Sequence, residues 1–175
     1  MLKSLMQFLD TLVAPAGGAG AARADDEHRL RLATAVLLVE VMRADTSFHA
    51  GEREAVHAAL VEKFDLAADE AARLVELATA EAREATDLFA FTSRLDSSFA
   101  MDQKVRMVEL MWAVAYADGH LADHERHVLW RVADLLHVPQ GAYVHARQRA
   151  QQAAQQEAVL FSSSDGAGQD PQHPT

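Results

Sequence analysis

A chain of 175 residues, half of them apolar, is long enough for one domain with a substantial core plus tails. Its 26 acidic against 16 basic residues give a net charge of −10, which argues against nucleic acid as a partner, because phosphate binding draws on clustered Lys and Arg. The absence of cysteine excludes disulfides and thiolate metal sites and fits a cytoplasmic location, so any metal must be held by carboxylate, imidazole or backbone oxygen.

In chain order, residues 2–13 place Leu2, Leu5, Met6, Leu9, Leu12 and Val13 on one helical face. Polar residues interrupt that run too often for a secretory segment, and it carries one lysine where a membrane-surface helix usually carries more basic residues. It reads as a helix packing on its own domain, with residues 2–13 the one place for membrane contact. Pro15 to Ala24 is Ala/Gly-rich and reads as a linker, after which Asp25 and Asp26 suit a helix start. Helices are then expected at about 26–44, 50–64, 68–83, 85–95, 100–117 and 122–137, with an eighth starting at Pro139. Asp96-Ser97-Ser98 reads as a turn, and the Ser/Gly/Pro/Gln-rich end as disordered.

No stretch alternates with period two, so the fold class is all-α, a bundle of about seven or eight helices. The expected division is an amphipathic helix over 1–13, a flexible linker over 14–24, a helical domain over 25–157 and a disordered tail over 158–175.

A shift of 73 residues lays Leu37 on Leu110, Val41 on Val114, Ala44 on Ala117, Asp45 on Asp118, Glu52 on Glu125 and Arg53 on Arg126. The same acid–turn–Glu-Arg pattern thus falls at two helix–turn–helix junctions, which points to two pseudo-symmetric repeats. Asp118-Gly119-His120-Leu121-Ala122-Asp123-His124-Glu125 matches the second half of a calcium-binding EF-hand loop. The first half is missing, since its ligand positions would fall on Val114 and Tyr116 within the preceding helix. At most, each turn offers two carboxylates, Asp45 with Glu52 and Asp118 with Glu125, plus backbone oxygens and water. The same acids also serve as ordinary helix caps, with the Glu closing on the first-turn amides. His120, His124 and His127 cluster at the second turn, where they are either zinc-type ligands or a solvated helix face. No nucleophile motif, phosphate loop or dinucleotide fingerprint is present.

The segments AVLLVEVMRAD…EREAV and VELMWAVAYADGHLADHERHVLWRVADLLHVP resemble the tellurite-resistance TerB family, over roughly residues 26–150. The resemblance implies an all-helical domain with internal pseudo-symmetry, acids that coordinate a divalent metal, and a role in bacterial tellurite resistance or stress response. Carried over by position, the metal acids are Asp45, Glu52, Asp118 and Glu125, with Glu40 and Glu109 in the preceding helices as secondary candidates beside His120 and His124. The first turn departs from the family in carrying Thr46 where Gly is favoured. The expectation is a non-enzymatic module that binds Ca²⁺, Mn²⁺ or Zn²⁺, has no organic cofactor, and acts with other proteins or as a homo-oligomer. The alternatives are a metal-free interaction scaffold and a metal-dependent hydrolase.

Overall fold

The structure is a computed structural model, and it describes residues 3–13, 22–44, 50–80, 88–117 and 123–164. Every regular element among them is an α-helix: α1 Lys3–Val13, α2 Ala22–Ala44, α3 Ala50–Phe64, α4 Ala68–Ala80, α5 Leu88–Ser98, α6 Met101–Ala117, α7 Asp123–Leu135 and α8 Gln140–Ser164.

Helix α2 is the one the others surround. Residues 32–40 are buried without a break, as expected of a helix apolar on all sides. It packs against α1, α3, α4, α5 and α6. Two polar side chains lie inside this stretch, Thr34 and Glu40, both fully buried. Thr34 satisfies its hydroxyl locally by donating to the Leu30 carbonyl at 2.7 Å. Glu40 also has a partner.

Helix α6 is the second long core helix. It buries Met107, Val108, Leu110, Met111, Trp112 and Val114, and its most extensive packing is with α8. The residues of largest volume sealed in the core are Trp112, Phe64 and Phe91. Each fully buried Leu or Phe side chain contributes roughly 1.5–3 kcal/mol of transfer free energy, so the helices are held chiefly by this one shared cluster.

Helix α1 belongs to the same core. Leu5 and Leu9 are fully buried against α2, α4 and α5. Its last turn is tied down as well, because Arg29 Nε donates to the Leu12 carbonyl at 2.8 Å. Leu5 and Leu9 of the expected apolar face are therefore used inside the domain.

The turns explain where helices stop. After α3, Asp65 adopts a left-handed φ of 51°, a conformation that Asp tolerates better than most residues. Arg31 Nη1 holds its carboxylate at 2.9 Å. The start of α4 is closed by Glu70, whose Oε2 accepts the Ala67 amide at 3.1 Å, the reciprocal half of a capping box. At the end of α7, His137 takes φ 56°, and the Val138 amide reaches back to the Ala133 carbonyl at 2.9 Å. That is the six-to-one closure of a Schellman turn, with Val138 buried beneath it. The Pro139 carbonyl then accepts the Tyr143 amide at 2.9 Å and opens α8.

Three sequence boundaries are corrected. α2 begins at Ala22, so residues 22–24 are helix and not linker; residues 14–21 lie outside the described residues. Ser97 and Ser98 close α5 instead of forming a turn. α8 runs to Ser164, so residues 158–164 of the expected tail are helical, and 165–175 lie outside the described residues. Ala22 and Ala24 are strong helix formers that leave no apolar pattern to read, which accounts for the first correction.

Candidate functional site

The two acidic turns sit between matched helices. α2 and α6 end at Ala44 and Ala117, 73 residues apart, and α3 and α7 begin at Ala50 and Asp123, again 73 apart. Glu52 and Glu125 are each the third residue of the helix after the turn, a position where a carboxylate complements the helix dipole and reaches back over the turn. Asp45, Asp118 and His120 lie outside the described residues, as do the side chains of Glu52, Glu125 and His124. Among the described residues no group of three or more His, Asp and Glu could hold a metal ion.

The two secondary acids have distinct settings. Glu40 is fully buried in α2. Glu109 lies on the α6–α8 seam, and both of its oxygens are engaged: Arg106 Nη1 donates to Oε1 at 3.0 Å and Arg149 Nε to Oε2 at 2.8 Å. The second of those arginines comes from α8. Glu109 thus helps to hold α8 onto α6.

The same seam carries an aromatic cluster that ends two residues before the second turn. Tyr116 stacks on Trp112 with centroids 5.5 Å apart, and Tyr143 of α8 meets Trp112 edge-on at 6.0 Å. The Arg147 guanidinium lies 5.2 Å from the Trp112 ring centroid, and its Nε donates to the Tyr116 hydroxyl at 3.2 Å. Burial pushes the Tyr143 phenol above its ordinary range, while the positive charge of Arg147 pulls it back. The spacing of Trp112 and Tyr116 already placed them on one side of α6. Nothing local signalled that Arg147 and Arg149 would complete the seam from α8.

A second polar cluster joins the end of α5, the start of α6 and the α7–α8 turn. Lys104, nearly buried, donates to Asp96 Oδ1 at 2.5 Å. His137 Nδ1 lies 3.2 Å from the same oxygen. The Lys104 hydrogen bond first, and His137 second, hold the Asp96 carboxyl below its ordinary value.

The remaining histidines of interest are surface groups. His127 stacks on the half-exposed Trp130 with centroids 6.1 Å apart. His57 Nε2 donates to the Ala68 carbonyl at 3.0 Å. Among the described residues no helix is long and apolar enough to cross a membrane.

A family model described as tellurite resistance protein TerB matches residues 31–148. The match spans both turns and all the helices from α2 into α8. No curated protein and no solved structure matches the chain.

Proposed function

The chain belongs to the tellurite-resistance TerB family, and from that membership we propose that it is a non-enzymatic module that binds a divalent cation at its acidic turns and acts with protein partners in bacterial tellurite resistance or stress response. The observation that carries this reading is the placement of Glu52 and Glu125. Both are third residues of the helix following their turn, and both turns fall within the matched span. Ordinary capping accounts for one such glutamate at a time. The paired acids, Asp45 with Glu52 and Asp118 with Glu125, are what an oxygen-ligand site at each turn requires.

Two carboxylates with backbone and water oxygens make a hard donor set, suited to Ca²⁺ or Mn²⁺. Recruitment of His120 or His124 at the second turn would favour Zn²⁺ instead. The second turn, with Gly119, is the stronger site, because Thr46 in the first is poorly suited to a sharp reversal.

Calorimetric titration of the metal-stripped protein with Ca²⁺, Mn²⁺ and Zn²⁺ tests the proposal. The expected result is saturable heat from at least one ion, lost when Asp118→Asn and Glu125→Gln are combined. No heat, or equal heat from both proteins, overturns it and leaves the acids as helix caps in a metal-free interaction scaffold.

A further inference from the structure

Arg53 is set apart from the other partly buried arginines. Its Nε is closed off from solvent and has no hydrogen-bond partner, and among the described residues the side chain makes no ion pair. Arg29, Arg31, Arg106 and Arg147 all have hydrogen-bond partners. A guanidinium offers five donors in a fixed fork that matches a carboxylate; here Nε is buried without a partner, and the terminal nitrogens, unpaired among the described residues, are the ones open to an oxyanion.

Arg53 lines an open groove of about 650 Å³ between α3 and α4, together with Glu54, His57, Ala72, Val75, Glu76 and Thr79. The lining has three chemistries. Arg53 supplies one unmatched positive charge. Glu54, exposed and without an ion pair among the described residues, supplies an unmatched negative one, with Glu76 nearby and only loosely engaged by Arg73 at 3.2 Å. Ala72 and Val75 supply an apolar surface. His57 commits Nε2 to the Ala68 carbonyl, which leaves Nδ1 of the neutral ring as an acceptor, and the Thr79 hydroxyl donates to the Val75 carbonyl at 2.7 Å.

We propose that this groove binds a small zwitterion, a free α-amino acid with a compact aliphatic side chain. Its carboxylate pairs with Arg53, its ammonium with Glu54 and the His57 acceptor, and its side chain lies on Ala72 and Val75. Charge complementarity selects this class. A phosphate or dicarboxylate would satisfy Arg53 but meet the carboxylates of Glu54 and Glu76. A simple amine would leave Arg53 unpaired. The interior of a peptide chain does not bring both charges within a few ångströms of each other. The groove contains none of the proposed ion ligands, so its failure would leave the cation reading untouched, and the converse also holds.

The test is titration of the full-length protein with L-valine, followed by amide shifts in two-dimensional NMR. Saturable shifts centred on Arg53, His57, Val75 and Thr79 are expected. Acetate and isobutylamine, the two halves of the probe, should each bind at least about 10-fold more weakly. Arg53→Gln should lower the L-valine affinity by at least about 10-fold with the rest of the spectrum unchanged, and Glu54→Gln by a few-fold. Absence of saturable shifts, phosphate or acetate binding as tightly as L-valine, or unaltered binding in Arg53→Gln would each overturn the proposal. Should Arg53→Gln fail to fold, the two half-probes and Glu54→Gln decide it alone.

Discussion

The two central helices are built to different plans. α2 is sealed: residues 32–40 are buried continuously, and its Thr34 turns its hydroxyl back onto its own helix. α6 is covered on one side by a separate helix, and that cover is fastened by directional contacts, namely Arg147 over Trp112, Arg147 to Tyr116 and Arg149 to Glu109. The contrast shows that one domain uses two kinds of cohesion. Burial around α2 is non-directional and scales with area. The α6–α8 seam depends on a few donors and rings whose geometry must be kept.

This contrast sets out an order of effects. Leu37→Ala, in the sealed stretch of α2, should cost about 2–5 kcal/mol of stability in urea denaturation. A loss under ~1 kcal/mol would mean that α2 can relax around the gap and is not the rigid centre. Arg147→Ala should cost less, about 1–2 kcal/mol, since it removes one cation–π contact and one hydrogen bond. A double-mutant cycle with Tyr116→Phe should show coupling between the two residues, and strict additivity would break the distinction between seam and core. The smallest effect comes from pH. Asp96 is held below its ordinary 3.8 by Lys104 and His137, so its contribution is present above that range and is lost as pH falls through the lowered folded value. The acid limb of a stability–pH profile should therefore flatten in Lys104→Met. An unchanged limb would show that Asp96 does not couple to folding.

Much of the fold was legible because its signals are local. α3, expected at about residues 50–64, occupies Ala50–Phe64, since Val56, Leu60 and Phe64 keep helical spacing and Asp65 stops the run. The opening of α8 at Pro139 was visible for the same reason, whereas α7, expected to about residue 137, closes at Leu135. The start of α2 and residues 158–164 of α8 were not visible: Ala22 and Ala24 favour helix without marking a face, and the three serines at 162–164 resemble a tail. Of the site, the acids at the two turns could be placed in sequence, and Glu52 and Glu125 fall at equivalent helix positions. The contact of Glu109 with α8 could not be read, because its partner Arg149 lies 40 residues away on another helix. Arg53 was visible as half of a repeated Glu-Arg pair, but its lack of a partner is a property of the packed chain alone.

One consequence concerns the length of α8. Its 25 residues make a rod of roughly 37 Å. The Schellman turn at His137 and the Asp96 contact fix its base. The aromatic seam holds its first third, and Lys63 of α3 ties it again at Glu157, 2.6 Å away. Two separated anchor points constrain direction as well as position, so α8 behaves as a beam pinned near both ends. Its last turns, with the exposed Val159, Leu160 and Phe161, form a short cantilever beyond the second pin. The Lys63 tie at Glu157 sits just before that overhang, so the end of α3 helps to set where it points.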